Sequence, residues 1–310
     1  MAAAPEWAQR AEQGHALALR LMAWIAVTLG RPVARLLLHP ITLYYLVFAA
    51  PARRASKRYL TRALGRPAHW RDVYRHVHTF AATVLDRVYF VRGELQAFDI
   101  GLTGSELVDA QVAEGGGAFL LGAHIGSFES LHAVGSSRPG LRVAMAMFPD
   151  NARKIHKVLQ ALAPDFELGI IPIGQAGSTL AIREWLAGGG LVGLLGDRHI
   201  GADGPRTGNL ELPFLGRPAP FSEGPLRLAL LLRKRVIFMV GLYLGGNRYE
   251  VRFQALADFS LATDAGAREA LLREALARYV ALLEALVRES PYNWFNFYDY
   301  WCEDPPAATP

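Results

Sequence analysis

The alternation of apolar and polar positions divides the chain into strand-like and helical segments. Short apolar runs predict strands at 118–123, 141–146, 168–172, 191–196 and 236–242. Helical spacing of apolar residues predicts helices between most of these strands, at 127–135, 152–163, 176–187 and 222–233. This order predicts an α/β fold, in which a mixed sheet is covered by helices. In such folds, ligands gather at the carboxyl ends of the strands.

Further patterns occur on both sides of this alternating region. A helical pattern covers 70–90, and the strictly alternating segment 248–253 predicts an edge strand. Residues 268–290 predict a long amphipathic helix, and the aromatic-rich segment 291–301 is expected to close the core.

The most apolar part of the chain lies near its N-terminus, at residues 15–50. Two apolar helical stretches are separated by Arg31, Pro32 and Arg35, and the longest run without a charged residue contains His39 and Pro40. A bilayer span needs about 20 consecutive apolar residues. We therefore expect a bent, membrane-associating helical segment that lies in the interface rather than a clean span.

A basic run follows this apolar segment. Eight cationic residues are involved: Arg53, Arg54, Lys57, Arg58, Arg62, Arg66, Arg71 and Arg75. They form either a solvated helix face or a surface for anionic headgroups or an acidic carrier protein. No nucleic-acid-binding motif accompanies them, so we do not expect a nucleic-acid partner. The single cysteine, Cys302, excludes a disulfide framework and a cysteine-based metal cluster.

These patterns predict three regions along the chain. Residues 1–66 form the hydrophobic and basic membrane-associating segment, 67–304 form the α/β domain, and the Pro/Ala tail at 305–310 is predicted to be disordered.

The segment GAFLLGAHIGSFES, residues 117–130, carries the first candidate chemistry. His124 ends an apolar run, Gly126 allows a sharp turn, and Ser127 can cap a helix whose first turn holds Glu129. In one continuous helix, His124 and Glu129 would point about 140° apart, whereas a strand, turn and helix let them meet. The pair would then act as a general base and its orienting acid. The alternative is a hydrogen-bonded loop histidine and an acid favoured by the helix dipole.

A second segment, LLGDRHIG at 194–201, repeats part of the first one. Asp197 and His199 would also lie at a strand end, beside His124. Alternatively, Asp197 caps a turn or pairs with Arg198. A metal site made of His124, Asp197 and His199 is conceivable, but no closely spaced ligand pair supports it, and no metal is expected.

Three segments in this order resemble the late acyltransferases of lipid A biosynthesis, within the glycerolipid acyltransferase superfamily. They are GAFLLGAHIGSFE (117–129), GIIPIGQAGSTLAIREWLAGGGLVGLLGDRHIG (169–201) and LPFLGRPAPFSEGPLRLALLLRKRVIFMVGLY (212–243). The resemblance covers about residues 10–300. It implies that His124 is the catalytic base, that Glu129 is its partner in a His-x4-acid dyad, and that Asp197 and Arg198 support them. It also implies an inner-membrane enzyme that faces the cytoplasm and uses an acyl carrier protein or coenzyme A thioester.

The segment MAMFPDN, residues 145–151, departs from the family pattern. Lipid A enzymes of this type carry Tyr-Arg-Pro before an asparagine, whereas here Met147 replaces the arginine and Asn151 is kept. An arginine would suit an anionic acceptor, so we do not expect a lipid A precursor as acceptor. Asn151 and Arg153 are candidates for holding the carrier's phosphopantetheine or the acceptor headgroup, and Arg217 is a further substrate-binding candidate.

The resemblance therefore implies acyl transfer from a thioester to a hydroxyl or amine acceptor in bacterial lipid biosynthesis. Acyltransferases of this general pattern also accompany aryl polyene pathways, so the resemblance equally implies an acceptor in aryl polyene biosynthesis. The expected partners are the thioester co-substrate and membrane lipid, with no other cofactor, while the oligomeric state is left open. Two alternatives are a catalytically silent lipid-binding protein on the same fold and a metal-dependent hydrolase.

Overall fold

The computed structural model describes residues 24–130, 141–149, 169–198, 208–261 and 264–301. The helices are α1 (Gly30–Phe48), α2 (Ala50–Ala63), α3 (Trp70–Val91), α4 (Glu106–Ala113), α5 (Ser178–Ala187), α6 (Gly224–Leu231) and α7 (Ala265–Glu289). The strands are β1 (Asp99–Thr103), β2 (Phe119–Gly122), β3 (Val143–Met147), β4 (Gly169–Pro172), β5 (Leu191–Leu195), β6 (Asn209–Phe214), β7 (Arg217–Ser222), β8 (Arg235–Gly245) and β9 (Arg248–Asp258).

The chain divides into two compact units. Of the described residues, the first unit holds 24–82, 198, 208–222 and 280–301, and the second unit holds the remainder, from 83 to 197 and from 223 to 279. The predicted boundaries at residues 66 and 304 stay a prediction.

The second unit contains a seven-stranded sheet in the order β1-β9-β8-β2-β5-β3-β4. Its strand pairs are parallel except for β8 and β9, which are antiparallel. Within this unit, α4 packs on β9, α5 packs on β4 and β5, and α6 packs on β8. The predicted mixed sheet with helices on it is confirmed.

The core of the second unit lies between this sheet and its helices. All four residues of β2 are buried, as is typical of parallel strands that are covered on both faces. The buried cluster comprises Val108, Ala118, Leu120, Leu191, Ile237, Met239, Val251 and Phe253. This core holds the ends of β2 and β5 in fixed positions.

Most of the predicted elements are confirmed, but the predicted edge strand is wrong. The five predicted strands correspond to β2, β3, β4, β5 and β8, and the predicted helices at 70–90, 176–187, 222–233 and 268–290 correspond to α3, α5, α6 and α7. The predicted edge strand, 248–253, is part of β9, which lies between β1 and β8. The pattern missed β1 because four of its five residues are exposed.

The first unit contains the hairpin of β6 and β7 and an aromatic core. Trp294 and Tyr300 are each 1% exposed, and the Trp294 ring lies 4.9 Å from Tyr59 and 5.4 Å from Phe214 between centroids. The predicted role of the 291–301 segment in closing a core is confirmed.

The N-terminal helices differ in detail from the expected bent segment. α1 runs without interruption through Arg31, Pro32, Arg35 and the pair His39–Pro40. The bend, of 97°, falls after α1, at its junction with α2. A helical stretch at 24–28 ends just before α1, which begins at Gly30 with φ +81°, so a break does fall next to Arg31. No break falls at His39–Pro40, because Pro40 is accommodated within the helix.

Arg53 stabilises this bend by donating to the last carbonyls of α1, those of Leu46 and Val47. Across the described residues, no single helix has the length and hydropathy of a membrane span. Only the bent pair of α1 and α2, taken together, has both.

Candidate active site

A strand, a tight turn and a helix position His124, as the sequence predicts. His124 follows β2 by two residues, and Gly126 has φ +61°. A Cβ at Gly126 would lie 1.9 Å from the Gly241 carbonyl oxygen, so only glycine fits this turn. The next residue, Ser127, donates its N–H to the same oxygen at 2.8 Å. The turn is therefore held against β8.

The helix that follows begins with the predicted cap. Ser127 Oγ accepts from the Ser130 N–H at 3.4 Å and donates to Glu129 Oε2 at 3.1 Å. A hydroxyl three residues before its N–H donor is the usual N-cap arrangement. The cap is confirmed, while the predicted remainder of this helix, to residue 135, lies outside the described residues.

The register of β2 on β5 brings His124 and Asp197 together. Gly122 pairs with Leu195, and each of the two polar residues follows its strand by two positions. Asp197 Oδ1 lies 2.8 Å from His124 Nδ1, and Asp197 Oδ2 accepts the His124 backbone N–H at 3.0 Å. The prediction that Asp197 lies beside His124 at a strand end is confirmed.

The environment of this pair favours one tautomer of the histidine. The Asp197 side chain is 3% exposed and that of His124 is 28% exposed. A carboxylate only accepts, so Nδ1 carries the proton and Nε2 keeps its lone pair. This is the arrangement of a general base whose orientation is set by an acid.

Glu129 has different partners in the structure. Its Oε1 lies 2.7 Å from Arg87 Nε, and its Oε2 accepts from Ser127. Arg87 lies on α3, which is held at the neighbouring Asp86 by a 2.8 Å hydrogen bond from the Tyr249 hydroxyl. The pairing of Glu129 with His124 stays a prediction, and Arg87 is a residue that the sequence reasoning missed.

Tyr279, on α7, lies under the strand end. Its hydroxyl donates to the Gly122 carbonyl at 2.9 Å. Burial, and secondarily the negative charge of Asp197, raise the pKa of Tyr279 well above its ordinary value. A neutral tyrosine thus supports β2 where it leads to His124. Neither Arg87 nor Tyr279 belongs to a motif, so no signal in a single sequence marks them.

The other predicted site residues lie outside the described residues or belong to the first unit. Asn151, Arg153 and His199 lie outside the described residues. Two arginines belong to the first unit: the Arg198 guanidinium lies 6.0 Å from the Tyr298 ring centroid, and Arg217 is the exposed first residue of β7. Their substrate-binding roles stay predictions. In the described part of the chain, no three His, Cys, Asp or Glu side chains come together as metal ligands would.

A histidine–carboxylate pair at adjacent strand ends of an α/β sheet is an arrangement that general acid–base enzymes use. The chain matches the family described as bacterial lipid A biosynthesis acyltransferase over residues 13–302, and it belongs to that family. It is therefore an acyltransferase, as the resemblance in the sequence predicts, and this supports acyl transfer over the two alternatives.

The other comparisons with known proteins do not extend this family assignment. A solved structure, the 1-acyl-sn-glycerophosphate (LPA) acyltransferase from Thermotoga maritima, is 14% identical and aligns over 82% of this chain and 98% of its own, with a TM-score of 0.36. No curated protein gives a significant match.

Proposed function

We propose that this acyltransferase transfers an acyl group from an acyl carrier protein or coenzyme A thioester to a hydroxyl or amine acceptor. The acceptor belongs to bacterial lipid or aryl polyene biosynthesis, and the reaction takes place at the cytoplasmic face of the inner membrane. The observation that carries this proposal is the contact between His124 Nδ1 and Asp197 Oδ1 at the ends of two adjacent strands.

The chemistry requires one base that later acts as an acid. His124 Nε2 takes the proton of the acceptor hydroxyl or amine as its oxygen or nitrogen attacks the thioester carbonyl. Backbone N–H groups at the strand ends, assisted by Arg198, stabilise the tetrahedral oxyanion. When the intermediate collapses, the C–S bond breaks and the thiolate takes the proton from the imidazolium, which restores the neutral base.

The two acids near the histidine receive different roles in this proposal. Asp197 holds Nδ1–H and stabilises the imidazolium, because its carboxylate is buried and contacts the ring. The family resemblance implies the orienting role for Glu129 instead. Glu129 is already bound by a guanidinium and a hydroxyl, so we assign the orienting role to Asp197.

Membrane association is proposed from the surface of α1. Its large exposed apolar side chains are Val33, Leu36, Leu43, Tyr44, Val47 and Phe48. Apolar side chains on one amphipathic helix bind to the interface between headgroups and acyl chains. The basic run that follows α1 favours the cytoplasmic leaflet.

The acceptor is proposed from Met147, the last residue of β3. Because β3 is parallel to β5, Met147 lies at the same edge of the sheet as His124 and Asp197. A lost contact from a guanidinium to a buried anion costs about 1.5–3 kcal/mol, roughly 10- to 150-fold in binding. An apolar residue here suits an apolar or aromatic acceptor instead of a phosphorylated disaccharide.

The direct test supplies purified enzyme with acyl carrier thioester or acyl-coenzyme A and two acceptors, a lipid A precursor and an aryl polyene intermediate. We expect acylation of the aryl polyene intermediate and little of the lipid A precursor. Deletion of the gene, followed by mass spectrometry of extracted lipids and pigments, identifies the natural product. Turnover of the lipid A precursor at about 1 per second or faster would contradict the proposed acceptor, and absence of any thioester-dependent transfer would contradict the mechanism.

A further inference from the structure

A shallow, largely open basic depression lies on one side of α2 in the first unit. Its hollow, about 340 Å³ in volume, is lined by Arg54, Lys57, Arg58, Thr61 and Arg62. These positions recur at intervals of three and four residues, which places them on one helix face. Four cations around one hollow repel one another unless an anion lies between them, so this surface, named here the α2 hollow, suits an anionic group.

The cations of the α2 hollow have unequal surroundings. Arg58 lies 3.5 Å from the Asp299 carboxylate, and the Arg62 guanidinium lies 4.2 Å over the Trp301 ring. Arg54 and Lys57 are exposed. A ligand would therefore meet Arg54 and Lys57 first, at a site whose other two cations already contact Asp299 and Trp301.

The preceding helix indicates the kind of molecule that carries the anion. One residue, Ala49, separates the end of α1 from the start of α2. Large exposed side chains in the last turns of α1, Tyr44, Val47 and Phe48, are apolar. An apolar helix end that leads directly into a basic helix matches both parts of an anionic lipid, since acyl chains would contact the first and a phosphate would contact the second.

We propose that the α2 hollow binds the phosphate of an anionic phospholipid and so fixes the orientation of the enzyme on the membrane. This rests on the membrane association in the proposed function and adds a specific lipid site to it. An acidic carrier protein is the other anionic macromolecule that meets this enzyme. A protein partner needs an interface of about 800 Å² on each side, whereas five residues of one helix line the α2 hollow, which fits a headgroup.

The test measures partitioning of the purified full-length protein onto sedimented vesicles. One set contains equal parts phosphatidylglycerol and phosphatidylcholine, and the other contains phosphatidylcholine alone. A basic residue at an anionic membrane contributes about 1 kcal/mol, so the double variant Arg54→Gln/Lys57→Gln should partition roughly 30-fold more weakly onto the anionic vesicles. Partitioning onto phosphatidylcholine should change by less than about threefold, because the apolar face of α1 is intact.

A matched control separates the site from net charge. The variant Arg183→Gln/Arg273→Gln removes the same charge at two exposed arginines outside the α2 hollow and outside the basic run, and it should partition like the wild type. Equal losses in both double variants would overturn the proposal. Circular dichroism monitors folding, and the single variant Lys57→Gln, expected to lose roughly 5-fold, serves if the double variant does not fold.

Two further arms decide between sources of the anion. If the variant Arg54→Gln/Lys57→Gln lost binding to immobilised apo acyl carrier protein while its vesicle partitioning stayed unchanged, the lipid assignment would be overturned. Protection of the wild type from thermal unfolding by inorganic phosphate, again with vesicle partitioning unchanged in the variant, would also overturn it. His124→Ala should bind anionic vesicles like the wild type. The vesicle result is thus independent of catalysis, and failure of acyl transfer is recognised separately from failure of the lipid site.

Discussion

His124 in the second unit and His76 in the first unit both have hydrogen-bonded rings, but the surroundings of the two rings differ. In the second unit, His124 is partly exposed and bound at Nδ1 by the Asp197 carboxylate. In the first unit, His76 is fully buried, accepts from the Ser56 hydroxyl at 2.8 Å and donates to the Trp294 carbonyl at 2.8 Å.

In the proposed mechanism, this difference separates the catalytic histidine from a structural one. Burial lowers the pKa of His76 to about 4, although its hydrogen bond to the Trp294 carbonyl acts in the opposite direction. A neutral hydroxyl and carbonyl do not offset the loss of water around a cation, whereas a carboxylate stabilises the imidazolium directly. The neighbours of the ring, and not the residue type, therefore decide which histidine can transfer a proton.

The largest expected effect is on catalysis in the second unit. His124→Ala should lower the rate of acyl transfer by about 10²–10⁴-fold, because the positioned base is lost. Steady-state assays with acyl carrier thioester measure this, and circular dichroism should show an unchanged fold. His69→Ala, at an exposed histidine of the first unit, is the matched control and should keep full activity. A His124→Ala enzyme with wild-type turnover would contradict the assignment of the base.

The next largest effect is the loss of activity on replacing the acids Asp197 and Glu129. Asp197→Asn should lower transfer by about 10²–10³-fold, because an amide no longer enforces the Nδ1–H tautomer. Glu129→Gln, which keeps the size and hydrogen-bonding capacity of the side chain, should lower it by less than about tenfold. Turnover numbers of both variants, with their pH profiles, make the comparison. The reverse order of losses would return the orienting role to Glu129, as the family resemblance implies.

A third prediction compares one glycine from each unit. Gly126 and Gly65 both have positive φ, +61° and +64°, but a Cβ at Gly65 meets nothing within 4 Å. Gly65→Ala should cost about 1 kcal/mol of unfolding free energy from backbone strain alone. Gly126→Ala should cost about 3 kcal/mol or more, because the Gly241 carbonyl must also move. Urea denaturation measures both, and equal losses would show that the turn at Gly126 is not tightly packed.

The smallest effect is the acid sensitivity that His76 confers. Its pKa of about 4 in the folded chain lies below its ordinary value of 6.5, so between these pH values the unfolded chain binds a proton that the folded chain does not. Stability from this group is therefore complete above pH 6.5 and falls as the pH drops toward 4, by about 2–3 kcal/mol.

His76→Gln can keep both hydrogen bonds without titrating, so it should flatten this part of the pH dependence. Urea midpoints at pH 7.5, 5.5 and 4.5 test it, with His69→Gln as the control at an exposed position. If His76→Gln and the wild type lose stability in parallel, another group is responsible.

The elements that were missed share a physical cause. β1 carries no buried apolar run and becomes a strand because β9 offers it a parallel partner. The hairpin of β6 and β7 contains Pro213, Pro218 and Pro220, which argue against strands when seen in isolation. In each case, pairing with a distant segment overrides the local preference.

By itself, the sequence determined the local structure around His124. An apolar run ends at the histidine, Gly126 turns the chain, and Ser127 starts a helix, all of which follow from propensity and capping over a few residues. It also carried the order of motifs that indicates the acyltransferase family.

Only the tertiary structure decided which carboxylate meets His124. That choice depends on the register of β2 on β5, which sets Gly122 opposite Leu195 and so brings Asp197 to the imidazole across 73 residues of chain. The partner of Glu129 likewise comes from a distant helix, through Arg87. Hydrogen bonds between strands and packing between helices fix such distances, and neither is encoded in the spacing of residues along one segment.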